Sequence, residues 1–166
     1  AGFRCATVSH DLASVSDLTL RRYQRKGNAG GVSVSKGEVR RCVIRDCRTM
    51  GEESSGWDSG HGGGAAVSGT GLLADCEVTA CTTEKGHGKG NALWISGGVV
   101  TNCDIHANNN GYAHSSMTEG AGGVYMTGGQ LLASKVHDNY RNSVGGIWMN
   151  NANAKVVNCL VYGNTA

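Results

Sequence analysis

An internal repeat constrains the fold of this 166-residue chain more than any other feature of its sequence. The phrase "GGVSVSKGEVRRCVIRDC" at 30–47 has the same outline as "GGVYMTGGQLLASKVHDN" at 122–139: an apolar–x–apolar triplet, a short turn and a second alternating run. Five segments share this outline, namely 32–47, 65–81, 93–108, 124–139 and 147–164. A sixth copy at 15–20 keeps only the second half of the pattern. Repeats of this length predict stacked supersecondary units.

The spacing of the copies varies, which predicts loops of different length inserted at one corner of a constant framework. One aligned column runs through Leu18, Cys42, Cys76, Cys103, Ser134 and Cys159, with gaps of 24, 34, 27, 31 and 25 residues. The insertions fall at 48–62, 82–89, 108–121 and 140–144. Long loops on one side of a rigid rod form a candidate recognition edge.

The repeats predict strands and not helices. Apolar residues alternate with a period of two, β-branched residues fill those positions, and glycines interrupt every potential helix. Each copy offers two strands, or three at most, whereas a propeller blade needs about forty residues and four strands. We therefore expect an all-β parallel solenoid of about six coils with variable corner loops. Six coils spaced at about 4.8 Å would form a rod roughly 29 Å long.

Two short motifs recur in the copies. A glycine pair precedes an apolar residue at 30–32, 122–124 and 145–147, and an apolar–x–x–Asn motif occurs at 105–108, 136–139 and 161–164. With these motifs the chain resembles the right-handed parallel β-helix (pectin-lyase-like) proteins, and more narrowly the bacterial surface proteins with GG–apolar and F-x-x-N repeats of the polymorphic outer-membrane type. Val or Ile replaces the Phe of that pattern, and Cys47 and Cys81 replace the Asn. The resemblance covers about residues 12–166.

Composition and charge exclude several classes of function. Lys and Arg number 15 and Asp and Glu 13, so the formal net charge of +2 gives no electrostatic footprint for nucleic acid. No apolar run approaches the length that spans a bilayer. The seven cysteines contain no C-x-x-C pair, and the C-x4-C spacings do not match common zinc sites. We expect no protein metal site and no cofactor, with calcium as the one cation to consider.

Alternation also predicts which side chains face the interior, because strand residues point alternately in and out. In the first sheet the inward columns are Val32, Ala65, Leu93, Val124, Ile147 and Val34, Val67, Ile95, Met126, Met149. In the second sheet they are Val15, Val39, Leu73, Val100, Leu131, Val156 and Leu20, Ile44, Val78, Ile105, Val136, Val161. About twenty such positions hold a small solenoid together, at about 1.5–3 kcal/mol for each fully buried Val, Leu or Ile.

The cysteine and asparagine columns are interpreted as structural. The cysteine column faces inward and predicts a ladder of small buried side chains. A disulfide between Cys47 and Cys81 is the alternative, because adjacent coils bring their Cα atoms within bridging range. Asn108, Asn139 and Asn164 are placed at turns, where Asn tolerates left-handed backbone and its amide bonds along the stack.

The outward column of the first sheet carries aromatic side chains on three successive coils. It reads Ser33, Ala66, Trp94, Tyr125, Trp148. Exposed aromatic groups of this kind are rare on a monomeric surface. Trp94, Tyr125 and Trp148 are therefore predicted ligand-binding residues on which sugar rings stack. The alternative is that a loop, a neighbouring domain or another copy covers them.

The second sheet is predicted to carry an acid–base cluster on its outer face, on three adjacent coils. Its members are Glu77, Asp104, His106, Lys135 and His137. His moves protons near neutral pH, while carboxylates hold a cation or orient the His. The resemblance implies chemistry on an outer face with carboxylates for calcium and a Lys or Arg base, and Lys135 and Arg45 are the analogues by location only. A solvated charged face is the alternative.

Three functions follow as expectations. The first is a non-catalytic module outside the cell or at the bacterial cell surface, for adhesion or binding of a polysaccharide or host-surface glycan. The second is a polysaccharide lyase or glycoside hydrolase that uses the acid–base face. The third is a structural rod or filament subunit. Residues 1–166 are interpreted as one β-helix module that belongs to a longer chain or assembles end to end, because an open solenoid end leaves backbone groups unpaired.

Overall fold

The protein is a parallel β-solenoid. The computed structural model describes residues 4–50, 60–84, 88–109 and 120–166. Within these residues the chain forms 21 strands of three residues each and no helix. The strands pair in parallel in three sheets of six strands and one of three. The six rungs make about five turns, so the predicted all-β solenoid is confirmed.

We name the sheets A to D in the order in which the chain enters them, and each turn of the solenoid contributes one strand to each of sheets A, B and C. Sheet A contains β1 (Ala6–Val8), β5 (Val32–Val34), β9 (Ala65–Val67), β13 (Leu93–Ile95), β16 (Val124–Met126) and β19 (Ile147–Met149). Sheet B contains β2 (Ser14–Ser16), β6 (Glu38–Arg40), β10 (Leu72–Ala74), β14 (Val99–Thr101), β17 (Gln130–Leu132) and β20 (Lys155–Val157).

Sheets C and D complete the turn. Sheet C contains β3 (Thr19–Arg21), β7 (Val43–Arg45), β11 (Glu77–Thr79), β15 (Asp104–His106), β18 (Lys135–His137) and β21 (Leu160–Tyr162). Sheet D contains β4 (Gln24–Lys26), β8 (Arg48–Met50) and β12 (Thr82–Glu84). Each turn thus has the three strands that the sequence allowed at most, and three of the turns add a fourth in sheet D. The single predicted second sheet is two sheets, B and C.

A two-residue turn separates sheets B and C. The residue before each cysteine of the aligned column has a positive φ, as at Arg41 (48°), Asp75 (55°) and Asn102 (51°). Left-handed backbone at a single residue redirects the chain, so the strands on either side face the same interior from different directions. The turn leaves no mark on the pattern of apolar residues in the sequence. The strands on its two sides were therefore predicted as a single sheet.

The N-terminal copy is more complete than its sequence indicates. Strand β1 pairs with β5 in the register Ala6 to Val32 and Val8 to Val34. The prediction that this copy keeps only the second half of the repeat is therefore wrong. No glycine pair precedes Ala6, which hides the strand from a search for the GG–apolar motif.

The interior is formed by the predicted inward columns. Each of their members lies beside its equivalent on the next rung, for example Leu73 beside Val39 and Val100. Their side chains are fully buried from the second rung through the fifth. In the last rung the inward-facing Met149 and Val161 are 46% and 47% exposed. Within the described residues no further rung covers these two side chains, while Ile147, Val156 and Cys159 of the same rung still pack against the core.

The glycine pairs and the turn residues of the repeat pack against each other. A Cβ on Gly31 would lie 3.2 Å from the Cys47 sulfur, and a Cβ on Gly123 would lie 3.2 Å from the Asn139 amide nitrogen. The same Cβ atoms would lie 2.5 Å and 2.7 Å from the carbonyl oxygens of the next rung. Only glycine permits this approach without a backbone shift. The two motifs thus form one packed corner.

All seven cysteines are free thiols, of which five are buried and two, Cys5 and Cys159, are partly buried. In the turn between sheets B and C, the thiols of Cys42 and Cys103 donate to the carbonyl oxygens two residues earlier, at 3.2 and 3.3 Å. No bridge joins Cys47 to Cys81. Burial, with the Cys47 sulfur as the second cause, raises the pKa of Cys81 well above its ordinary value. The predicted thiol ladder is confirmed, and the alternative disulfide is absent.

The asparagines form the predicted amide ladder in the turn that follows sheet C. The Asn108 amide donates to Asn139 Oδ1 at 2.9 Å, and the Asn139 amide donates to Asn164 Oδ1 at 3.0 Å. The left-handed residue, however, is the one before each Asn: Ala107 and Asp138 have a φ of 52°. The Asn side chains are held by hydrogen bonds, and the expectation that Asn itself adopts the left-handed backbone is wrong.

Candidate functional site

The aromatic column lies on the outer face of sheet A in the predicted register. Trp94 pairs with Tyr125 and Tyr125 with Trp148 on successive rungs. Trp94 and Trp148 are partly exposed. The Tyr125 side chain is 2% exposed, so the expectation of three exposed rings is wrong at this position. A buried ring has no free face on which a ligand could stack.

Polar groups from the corner before sheet A cover part of Tyr125. The Lys89 ammonium lies 5.4 Å from the centroid of the Tyr125 ring, within the range of a cation–π contact. The His61 ring lies 6.5 Å from the same ring and 5.2 Å from the Trp94 ring. From the next strand end, the Asn150 amide donates to the Tyr125 hydroxyl at 3.1 Å. The anticipated alternative, cover by a loop, therefore applies to Tyr125.

His61 and Lys89 are held in place by the backbone of the corner. The Lys89 N–H donates to Nδ1 of His61 at 2.9 Å, so Nδ1 acts as an acceptor and the ring is positioned. The His61 side chain is buried at 7% exposure. Both residues lie in insertions of the predicted recognition edge, 48–62 and 82–89, but neither was among the predicted ligand-binding residues. His61 and Lys89 each lie four residues before a strand of sheet A. This short spacing is the sequence signal that would place them near the aromatic column.

Much of the predicted recognition edge lies outside the described residues, namely 51–59, 85–87 and 110–119. Of the insertion at 140–144, Arg141 is buried at 2% exposure. Its guanidinium donates to Thr83 Oγ1 at 3.2 Å and to Asn91 Oδ1 at 3.1 Å. Burial lowers the pKa of Arg141 to about 10, which leaves the side chain charged at neutral pH. Arg141 therefore binds the corners of neighbouring rungs together.

The acid–base cluster lies on the outer face of sheet C. Glu77, Asp104 and Lys135 occupy one column on three adjacent strands, and His106 and His137 occupy a second column on two of them. The structure thus brings together all five predicted residues. We call this surface face C.

Hydrogen bonds connect the two columns of face C. Nε2 of His106 lies 3.0 Å from Oε1 of Glu77, and Nε2 of His137 lies 2.8 Å from Oδ1 of Asp104. Each carboxylate thus orients a ring on the next strand. A third carboxylate, that of Asp138, lies 2.8 Å from Nδ1 of His137. Asp138 was not predicted, because it follows the strand and occupies the left-handed turn position.

The rings of face C are stacked along the solenoid axis. The centroids of His106 and His137 are 5.1 Å apart with an interplanar angle of 8°, and those of His137 and Tyr162 are 4.7 Å apart with an angle of 4°. Parallel in-register strands impose this spacing. Burial of the His137 ring, the largest influence, opposes its charged form, but hydrogen bonds to Asp138 and Asp104 outweigh it and raise the pKa of His137.

The described carboxylates and histidines of face C are not arranged as metal ligands. Among the described residues, no three His, Cys, Asp or Glu side chains converge in a way that would hold a metal ion. A cavity of about 390 Å³ lies elsewhere, at the corner between sheets A and B, where Leu12, Gly37 and Glu38 are among its lining residues. Two roles were expected for the carboxylates, to hold a cation or to orient a histidine. In the structure they form the hydrogen bonds that orient the histidines.

Comparison with protein-family models, with curated proteins and with solved structures finds no match for this chain. In the part of the chain that the structure describes, no helix has the length and apolar character that a membrane crossing requires.

Proposed function

We propose that the chain is a non-catalytic glycan-binding module of the cell surface or extracellular space, and that the outer face of sheet A is its binding surface. One observation carries the proposal: Trp94 and Trp148 are partly exposed in a single outward column, two rungs apart. At the usual strand spacing their rings are separated by roughly 10 Å. Large rigid aromatic side chains provide flat apolar contact area at low entropic cost, which suits sugar rings along an extended chain.

Polar groups beside the aromatic column support recognition of a glycan over recognition of a purely apolar ligand. The His61 ring lies 5.2 Å from Trp94, and the Lys89 ammonium lies over the neighbouring Tyr125 ring. Binding sites commonly combine apolar walls with a few placed polar groups that fix orientation. In this proposal Tyr125 is a buried support for the two tryptophans, and His61 and Lys89 are the polar groups that hold this support beside the binding surface.

The GG–apolar and apolar–x–x–Asn motifs support the same assignment. Their contact in the folded chain, as between Gly123 and Asn139, gives the repeat a physical reason. The proposal includes kinship with pectin-lyase-like β-helix proteins and with outer-membrane-type repeat proteins of bacteria. It also includes a role in adhesion and a right-handed solenoid.

The experiment is an unbiased glycan array with and without calcium, followed by titration calorimetry on the strongest ligand. Trp94→Ala and Trp148→Ala are each expected to weaken binding at least about tenfold, which corresponds to about 1.4 kcal/mol. Tyr23→Ala is the matched control, because this tyrosine is 38% exposed on the first rung, away from the column. Affinity that survives both tryptophan substitutions would exclude this surface.

A second candidate function is a polysaccharide lyase or glycoside hydrolase on face C. The observation in its favour is the pair of in-register carboxylates, Glu77 and Asp104, each hydrogen-bonded to a histidine, with Lys135 on the next strand as a candidate base. Uronate-containing polysaccharides are the substrates to test, with ultraviolet detection of an unsaturated product. Turnover that is unchanged in Asp104→Asn would remove this candidate.

A third candidate is a rod or filament subunit that assembles end to end. The last rung exposes apolar side chains, with Met149 at 46%, Leu160 at 55% and Val161 at 47%. A second copy stacked on this rung would cover the inward-facing Met149 and Val161 and would continue the parallel sheets. Analytical ultracentrifugation over a hundredfold range of concentration tests this candidate, and a concentration-independent monomer would contradict it.

A further inference from the structure

His137 has a hydrogen-bonding arrangement that only a charged imidazole can satisfy. Its two ring nitrogens lie 2.8 Å from Oδ1 of Asp104 and 2.8 Å from Oδ2 of Asp138. A neutral imidazole carries one N–H, so one of its nitrogens would direct a lone pair at a carboxylate oxygen. The imidazolium donates from both nitrogens. The observed geometry is therefore that of protonated His137.

The surroundings of the ring favour the charged state without preventing its loss. The side chain of His137 is 15% exposed, and those of Asp104 and Asp138 are 44% and 63% exposed. The ring is stacked between His106 and Tyr162. Besides the two aspartates, four other titratable groups lie on the outer face of the neighbouring strands β11, β15, β18 and β21. They are Glu77, His106, Lys135 and Tyr162.

We propose that His137 is a proton-controlled clamp, which joins strand β15 to the turn after β18 when the ring is charged and releases Asp138 when it is neutral. Asp138 is the carboxylate released because it is the more exposed of the two, and water compensates an exposed carboxylate best. The remaining N–H stays on Nε2 and donates to Asp104. In mild acid face C therefore presents two carboxylates hydrogen-bonded to one positive charge, with a net charge of −1 for the three groups. At alkaline pH it presents Asp104 hydrogen-bonded to a neutral ring and Asp138 released to water.

The direction of the pKa shift agrees with this clamp. The pKa of His137 is raised, because the hydrogen bonds to Asp138 and Asp104 outweigh the opposing effect of burial. A raised pKa means that the clamp is fully closed below the ordinary histidine value of about 6.5. It opens as the pH rises through the higher value of the folded state. The switch therefore operates on the alkaline side of the range in which free histidine titrates.

The test is a pH titration of the ring nitrogens by long-range proton–nitrogen NMR on the whole chain, with His137→Gln used to assign the signals. In wild type we expect both nitrogens protonated in acid, a midpoint above that of free histidine, and the proton on Nε2 at high pH. The opposite tautomer, or a midpoint at or below the free value, would overturn the proposal. The titration itself is made on wild type, and the His137→Gln spectrum serves only to assign the signals.

Matched variants separate the two arms of the clamp. Asp104→Asn and Asp138→Asn should each lower the midpoint of His137. Asp46→Asn is the control. Asp46 occupies the same left-handed turn position as Asp138, three rungs earlier, and pairs with Arg45 instead of a histidine. A midpoint that moves with only one of the two aspartates would contradict a two-armed clamp, and a shift in the Asp46 control would show a non-specific charge effect.

Discussion

Two ladders of side chains run along the same three rungs, and on each rung their members are two residues apart in sequence. One ladder lies inside the solenoid and the other on its surface. The inner ladder consists of Asn108, Asn139 and Asn164, and the outer ladder consists of His106, His137 and Tyr162. Both arise because parallel in-register pairing repeats any side chain at about 4.8 Å. The inner ladder is neutral and, at Asn108 and Asn139, fully buried. The outer ladder is partly exposed, and its charge depends on pH.

The difference lies in how hydrogen bonds are satisfied. The central Asn139 donates to Ile105 O at 2.9 Å and to Asn164 Oδ1 at 3.0 Å, and its own oxygen accepts from the Asn108 backbone N–H at 3.1 Å. A buried amide in this position has no water to replace a lost partner. In the proposed clamp, His137 exchanges Asp138 for solvent while it keeps Asp104. The inner ladder therefore stabilises the fold, while the outer ladder can respond to its surroundings.

The largest expected effect is that of Asn139→Ala. It removes several buried hydrogen bonds and leaves the backbone N–H of Asn108 and the carbonyl of Ile105 without their amide partner, so we expect a loss of about 3 to 5 kcal/mol in the free energy of unfolding. Urea denaturation measures it. Asn153→Ala is the control at an exposed asparagine and should change stability by less than about 0.5 kcal/mol. A loss under about 1 kcal/mol at Asn139 would make the two ladders equivalent.

The second prediction concerns the earlier rungs of the same column, where cysteine takes the place of asparagine. Cys81 is fully buried and its backbone N–H donates to Asn108 Oδ1 at 2.9 Å. Its thiol already points towards Ile44 O at 3.7 Å, which is where an amide would donate. Cys81→Asn should therefore hold or raise stability by up to about 1 kcal/mol. Cys81→Ala, the matched truncation, should lose about 1 to 2 kcal/mol.

The outcome of that pair of substitutions decides what the cysteines contribute. If Cys81→Asn destabilises the chain as much as Cys81→Ala does, the thiol rungs have a packing that an amide cannot enter. Gly64 is the residue to inspect then, because a Cβ there would lie 3.1 Å from the Cys81 sulfur.

The third prediction concerns the pH dependence of the outer ladder. His137 has a raised pKa in the folded state, so its contribution is fully present below the unfolded value of about 6.5 and is lost as the pH rises through the folded value. The stability difference between wild type and His137→Gln should shrink over that window, from about 1 kcal/mol or less in acid. Parallel urea titrations at several pH values measure it. Asn139→Ala should show a pH-independent loss, and a constant difference for His137→Gln would contradict the distinction between the ladders.

The sequence predicts the columns well because they depend on period and register alone. The inward positions Val39, Leu73 and Val100 follow from alternation, and the same alternation places Glu77 beside Asp104. What it does not reveal is the direction of the chain between strands. A single left-handed residue such as Arg41 divides one apparent sheet into two, and nothing in the identity of an arginine signals a positive φ.

The candidate surfaces show the same limit. That Tyr125 faces outward is predicted, yet its burial depends on His61 and Lys89, which reach it from corners separated by insertions of different length. The partnership of His137 with Asp138 also escapes the sequence, because adjacent residues on a straight strand point to opposite faces. The turn at Asp138 changes that geometry and brings its carboxylate to the ring.

The smallest expected effect is that of removing the end of the outer ladder. Tyr162 is 46% exposed and stacks on His137 at 4.7 Å. Tyr162→Ala should cost about 0.5 kcal/mol, at the low end for an aromatic pair, since nearly half of this residue is already exposed to water. Tyr162→Phe is the control and should leave stability unchanged, because it keeps the ring and removes only the hydroxyl. A loss in Tyr162→Phe comparable to that in Tyr162→Ala would show that the hydroxyl, and not the stack, holds the outer ladder.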